Sequence, residues 1–280
     1  MKTVLEGSTA IVVGAATGLG RQIALVFAEQ GAGLVLVDYD ESGLKSVAGE
    51  VTALGGRAVL VPGDAADPST SEAAVSRASS EFGGLDILVY NAAISPMTAK
   101  AVLATSVEDW KRVYDVNVTG AFMFAKAALP LMVRERSGSV VFTSSTGAVH
   151  APPGLAAYNS SKAAMIALSS SIASDYGEHN VRSNCILPGF MEGTLKDRGA
   201  HLTEDDMRRR EQLGIASTPL GRLGSYREVA NVVLFLASSQ ASFVSGVALP
   251  VDGAAGGRVS SVEKNRFSPA PTNESMSASE

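Results

Sequence analysis

The sequence predicts an α/β fold, a doubly wound parallel sheet of about seven strands with helices on both faces. Three observations predict it. Short apolar runs alternate with longer helical patterns along the whole chain, the rhythm of a parallel sheet with crossover helices. The runs are apolar at consecutive positions rather than at every second one, as strands covered on both faces should be. A glycine-rich turn, "VVGAATGLG", joins the first run to the first helical pattern.

The strands are read at 9–13, 33–38, 57–63, 85–90, 138–144 and 181–188, with 247–253 as the seventh. Helical character occupies 19–30, 41–54, 69–82, 107–134, 157–176 and 226–238. Right-handed crossovers then fix the winding. With 280 residues, 46% of them hydrophobic, the chain can fill one large core, so 1–256 is read as a single domain. The charged segment 190–216 breaks the rhythm, with a helix signal near Thr203. An insertion of that length points to function. The Ser-, Pro-, Glu- and Asn-rich tail 257–280 is expected to be disordered.

Composition narrows the function. There are 23 Lys and Arg against 28 Asp and Glu, a net charge of −5, which argues against general nucleic-acid binding. The single cysteine, Cys185, allows no intrachain disulfide. No apolar run approaches the roughly 18–20 residues of a membrane span, and the N-terminus lacks a signal-peptide layout. No membrane partner and a cytoplasmic location are expected. No His, Cys or carboxylate cluster has metal-ligand spacing, so no metal is expected.

The first turn carries glycines at 14, 18 and 20, spaced G-x-x-x-G-x-G. Gly14 permits a tight exit from the strand, Gly18 a close approach of pyrophosphate to the helix N-terminus, and Gly20 close packing of helix on sheet. The second strand ends in Asp38, 18 residues past Gly20. A carboxylate there can bond both ribose hydroxyls of an adenosine and repels a 2′-phosphate. Thr17 and Tyr39, where a cation would favour that phosphate, are uncharged, so NAD(H) is preferred over NADP(H). Asp38 could instead cap the next helix, a task Asp40 can also fill. Asp64 either contacts the adenine amino group or caps the helix after Pro68. Asn91, Ala92 and Ala93 follow the fourth strand; the alanines leave room for a ribose, and Asn91 can tie neighbouring strands.

Tyr158 and Lys162 lie four residues apart, on one face of a helix. Alone, neither handles protons at neutral pH, since their ordinary pKa values are about 10 and 10.4. Side by side, the ammonium favours the phenolate. A three-unit shift corresponds to about 4 kcal/mol of electrostatic preference. Ser145 precedes Tyr158 by 13 residues, and Asn117 sits in the fourth helical region.

With the glycine turn and "NAAI", this set resembles the short-chain dehydrogenase/reductase family. The likeness covers about 5–255 and includes "LPGF", "GRLGSYREVANVVLFLAS" and "VSGVALPVDG". It implies a Rossmann-type domain and a catalytic set of Asn117, Ser145, Tyr158 and Lys162. Tyr158 would be general acid/base, Lys162 would also hold the nicotinamide ribose, and Ser145 would position the substrate oxygen. Asn117 would hold, by backbone or side chain, a water linking Lys162 to solvent. The cofactor site would comprise Gly14, Thr17, Gly18, Leu19, Gly20, Asp38, Tyr39, Asp64, Ala65, Asn91, Ala92, Ala93, Tyr158, Lys162, Pro188, Gly189, Met191 and Thr194.

The substrate, a small alcohol or ketone, would meet Ser145, Tyr158 and His150, although His150 can equally be an exposed loop residue. Segment 194–216 matches the family's substrate lid in position, and "TEDDMRRRE" reads as a solvated helix or as a basic patch for an acidic substrate. A homotetramer or homodimer is implied, using 107–134, 157–176 and the last strand. Two departures stand out: Val13 replaces the family's usual threonine, and Thr194 falls one place late after Pro188–Gly189. The expected activity is NAD(H)-dependent interconversion of a secondary alcohol and a ketone. The alternatives are an NADPH-dependent 3-oxoacyl reductase and a dinucleotide sensor without turnover.

Overall fold

A computed structural model describes residues 3–95, 100–193 and 203–257. In chain order the elements are β1 (Thr9–Val13), α1 (Gly18–Glu29), β2 (Gly33–Asp38), α2 (Glu41–Ala53), β3 (Arg57–Pro62), α3 (Pro68–Phe82) and β4 (Ile87–Tyr90). They continue with α4 (Val107–Tyr114), α5 (Ala121–Glu135), β5 (Gly138–Thr143), a one-turn α6 (Gly147–His150), α7 (Ala156–Tyr176) and β6 (Val181–Pro188). The last are α8 (Glu204–Ser217), α9 (Tyr226–Ala237) and β7 (Ala248–Val251). All seven strands are parallel, in the order β3-β2-β1-β4-β5-β6-β7. The order reverses between β1 and β4, where a crevice opens beyond the strands' carboxyl ends.

The consecutive apolar residues of each strand divide between two cores. Ala10, Val12, Leu34, Leu36, Val89 and Val141 pack with Ile23 and Phe27 of α1, Leu44 and Val47 of α2, and Val233 of α9. Ile11, Val13, Val35, Val37, Leu88 and Phe142 pack on the other face with Ala74 of α3, Phe124 and Met132 of α5, and Met165 of α7. Each large apolar side chain buried this way contributes roughly 1.5–3 kcal/mol. Cys185 belongs to the second core, and burial pushes its thiol up to about 12.

Side-chain caps start most of the helices. Asp40 accepts from the amides of Ser42 and Gly43 to begin α2, so Asp38 is not needed as its cap. Asp67, not Asp64, caps α3 through the Ser69 amide. Reciprocal Thr203–Asp206 and Ser225–Glu228 pairs open α8 and α9, and the Arg222 guanidinium beside Glu228 holds that carboxyl down at about 2. The helix read at 107–134 is not uniform. Its turns widen to π-type spacing over Asp115–Gly120, where the Tyr90 phenol donates to the Val116 carbonyl. Although no apolar run of span length was expected, Val107–Glu135 is long and apolar enough by length and composition to cross a membrane. Half of its most apolar window is buried, and Phe124, Ala128 and Met132 are core residues, as in the core helix of a globular fold.

Gly20 and Gly49 separate the two uses of glycine. A Cβ on Gly20 would overlap the Gly14 carbonyl, whereas on Gly49, inside α2, it would meet nothing within 4 Å. Gly20→Ala is expected to cost on the order of 3 kcal/mol. Gly49→Ala should add about 0.5–1 kcal/mol. Thermal unfolding of the two variants checks this; equal melting temperatures would contradict the packing role of Gly20.

Candidate active site

Three loops meet above the strand crossover. Gly14, at φ +80°, starts the loop after β1, and its amide and that of Ala15 donate to the Val37 carbonyl at 2.8 and 3.1 Å. A Cβ on Gly14 would lie 2.7 Å from the Ala92 backbone, so the loops after β1 and β4 touch only because that side chain is missing. Asn91 locks them: its amide donates to Val13 and its side chain to the Gly14 carbonyl, at 2.9 and 3.2 Å. Asp38 holds the third loop. Its two oxygens accept from the amides of Ala16 and Asp40 at 3.0 and 3.1 Å, leaving lone pairs on both.

The site fits a dinucleotide. Thr17 makes no side-chain cap at the start of α1 and Gly18 has φ +55°, so the first-turn amides remain for an anionic group. Leu19 and Gly20 are buried beneath that turn, and Tyr39, 83% exposed, stands beside Asp38. Ala93 is exposed at the end of the β4 loop. Asp64 does not cap α3; its carboxylate pairs with Arg112 at 2.8 Å. Burial would raise that carboxyl, but the Ala66 amide and Arg112 hold it below its usual value. The neighbouring Ala65 is buried, its carbonyl closely packed against Gly120.

The second half of the site is built where α7 meets the ends of β5 and β6. Lys162 is only 2% exposed. Its ammonium donates to the Thr143 carbonyl at 2.6 Å and sits 5.7 Å from the centroid of the Tyr158 ring. Tyr158 is itself buried, at 6%. The Ser144 hydroxyl donates to the Lys162 carbonyl at 2.7 Å, and the Ser144 amide to Ile186 of β6 at 2.8 Å. Ser145 follows directly, half-buried, its hydroxyl oxygen accepting from the Gly147 amide at 3.0 Å.

Asn117 is fully buried in the widened turn. Its amide oxygen accepts from the Ile94 backbone at 2.8 Å, and its nitrogen donates to the Ile94 carbonyl and the Ser161 hydroxyl at 2.9 and 3.0 Å. Ser161 donates in turn to the Tyr158 carbonyl at 2.8 Å. The side chain of Asn117 therefore fastens the β4 loop to α7.

Beyond β6, the Pro188 carbonyl accepts from the Thr146 amide at 3.1 Å, and the Gly189 amide donates to Val251 at 3.1 Å. Met191 forms a bridge with Gly224. Thr194 lies outside the described residues, as do the lid residues 194–202 and the tail 258–280. The described part of "TEDDMRRRE" forms an exposed helix start, with Arg208 paired to Asp205. His150, at the end of α6, is exposed but borders a cleft of about 390 Å³ that Thr146 also lines.

Sequence reasoning did not find Thr143, Ser144 or Ile94. Ser144 had a faint signal as the first member of the serine pair in "TSS"; Thr143 and Ile94 act through main-chain atoms, which leave none.

The fold and this site define an oxidoreductase, and the chain belongs to the short-chain dehydrogenase/reductase family. The family profile described as "Enoyl-(Acyl carrier protein) reductase" matches residues 14–255. Among curated proteins, the chain is 40% identical to an L-rhamnose 1-dehydrogenase (NAD(P)(+)) of Sphingomonas sp. (strain SKA58), over 89% of this chain and 96% of that one. It is 33% identical to the 3-oxoacyl-[acyl-carrier-protein] reductase FabG of Thermotoga maritima, over 89% and 98%. Among solved structures, a putative short-chain dehydrogenase/reductase from Burkholderia xenovorans superposes with a TM-score of 0.83 at 31% identity, covering 92% of this chain and all of that one.

Asn117→Ala would leave the Ile94 amide and carbonyl without their partner inside the protein. At about 1–3 kcal/mol for each unsatisfied buried group, the variant should lose roughly 2–6 kcal/mol, measured by chemical denaturation. An unchanged midpoint would show that Asn117 does not fasten the β4 loop.

Proposed function

We propose that the chain is an NAD(H)-dependent oxidoreductase interconverting a secondary alcohol and a ketone, with Tyr158 as general acid/base. The observation that carries the reading is the buried pair on the first turns of α7: a phenol, and an ammonium held 5.7 Å from its ring centroid by the Thr143 carbonyl. A neighbouring positive charge favours phenolate. In oxidation Tyr158 Oη takes the proton of the substrate hydroxyl; in reduction it returns that proton to the carbonyl oxygen. Ser145, one residue past the serine stitched to α7, positions the substrate oxygen. The bound nicotinamide supplies the hydride chemistry.

Lys162 holds the nicotinamide ribose while its charge acts on Tyr158. The three bonds of the Asn117 side chain are made within the protein. The proton-relay water therefore falls to the main-chain carbonyl of the widened turn. Gly14, Thr17, Gly18, Leu19 and Gly20 take the pyrophosphate, Asp38 and Tyr39 the adenosine. Asn91, Ala92 and Ala93 line its ribose, and Pro188, Gly189 and Met191 border the nicotinamide.

The preference for NAD(H) rests on Asp38. Its carboxylate is fixed by two amides and retains lone pairs for ribose hydroxyls. The cations of α1 and α2, Arg21 and Lys45, are paired with Glu50 and Glu41, so no unpaired cation on those helices offsets Asp38 toward a 2′-phosphate. This disfavours an NADPH-dependent 3-oxoacyl reductase. A sensor without turnover has no use for a buried Tyr–Lys pair. For assembly we propose a homotetramer or homodimer through the α4–α5 region, where Val107, Trp110 and Phe122 are exposed.

Tyr158→Phe should lower kcat by a factor of 10² or more while NADH still binds, measured by dehydrogenase assay and NADH fluorescence titration. Turnover at the wild-type rate would remove Tyr158 from the role. Asp38→Ala should weaken NADH and narrow its advantage over NADPH by about tenfold, equal to 1.4 kcal/mol; an unaltered ratio of the two dissociation constants would refute the ribose contact.

A further inference from the structure

We propose that His150 and Asp252 form a polar subsite of the substrate cleft and select substrates bearing a second hydroxyl, a diol or polyol, beside the reacting carbinol. The proposal rests on the reaction assigned above. The cleft measures about 390 Å³, at the small end of ligand pockets. It is lined by Thr146, the residue after Ser145, and by Val149, Leu187 and Pro250. Its polar side chains are Thr146, His150 and Asp252.

His150 and Asp252 converge beside Gly256. A Cβ built on Gly256 would lie 2.8 Å from His150 Nε2 and 2.9 Å from Asp252 Oδ2. Position 256 is thus a glycine for room, because its φ lies outside the left-handed range. The turn that brings it there is held by Asp252, whose oxygens accept from the amides of Ala254 and Gly256 at 2.9 and 2.7 Å. Gly253 and Ala254 both have positive φ, +60° and +69°. Alanine seldom adopts that conformation, and such residues cluster where a site needs a set geometry. No described residue hydrogen-bonds the His150 imidazole.

The chemistry selects a hydroxyl. Asp252 retains lone pairs and accepts only, whereas an imidazole donates at one nitrogen and accepts at the other. A hydroxyl satisfies both at once. A carboxylate or phosphate would be repelled by Asp252, and an alkyl chain would cover the polar pair without satisfying it. Sites built for a hydroxyl reject analogues lacking it for this reason.

The test compares ring-matched substrates, cyclohexanol and trans-1,2-cyclohexanediol, by kcat/KM for NAD⁺ reduction. The expected ratio favours the diol at least tenfold. In His150→Leu and in Asp252→Asn that ratio should fall at least fivefold, through KM for the diol. Gly256→Ala, which displaces both side chains without replacing either, should lower it as well and stands in should Asp252→Asn fail to fold. A wild-type ratio near one, or a ratio that survives the substitutions, overturns the subsite. If the protein turns over no alcohol or ketone, the assigned reaction fails. The same ratio, taken as dissociation constants of diol and cyclohexanol on the enzyme–NADH complex by calorimetry, then decides the subsite alone.

Discussion

A lysine ammonium removed from water organises the site. Burying an unpaired charge costs several kcal/mol, and Lys162 is almost wholly buried. The charge is tolerated because it donates to the Thr143 carbonyl at the end of β5. That bond requires the first turns of α7 to lie directly on the strand end. The adjacent Ser144 hydroxyl closes the same junction by donating to the Lys162 carbonyl. Tyr158, one turn earlier, and Ser145, one residue later, are consequently placed by a junction in which neither is the principal tie.

The junction is rigid because the elements beneath it are. β5 is paired on both sides, with β4 and β6, and its residues enter two separate cores. Loops carry the chemistry, and strands buried on both faces fix the loops. Asn117 extends this rigidity sideways, joining the β4 loop to α7 through Ile94 and Ser161. The dinucleotide crevice and the Tyr–Lys pair are therefore mechanically continuous.

What was legible in the sequence follows from the range of the interactions. The strands were readable because cover on both faces leaves a local mark, consecutive apolar residues; Asp40 was readable as a cap because capping is local. Tyr158, Lys162 and the glycines were readable because their spacing is itself the chemistry. The widened turn was not, since the phenol that bonds it comes from Tyr90, 26 residues away. Asp64 was misread as a cap because its partner, Arg112, is 48 residues distant, and Asp67 took the helix instead. The Thr143 carbonyl could not be read at all, since any residue there offers the same atom.

Asp38 and Asp252 use the same physics at opposite ends of the site. One ends β2, the other follows β7, and each divides its two oxygens between two loop amides. An amide on each oxygen fixes the carboxylate plane, while lone pairs remain on both oxygens. A carboxylate so fixed accepts hydroxyls and repels anions, and it need not be reoriented when a ligand arrives, so little conformational entropy is lost on binding. On the reading proposed here, the carboxylate at β2 sorts the cofactor by its ribose and the one after β7 sorts the substrate by its second hydroxyl. Selection at both ends then follows from the loops that hold the acids, rather than from the acids alone.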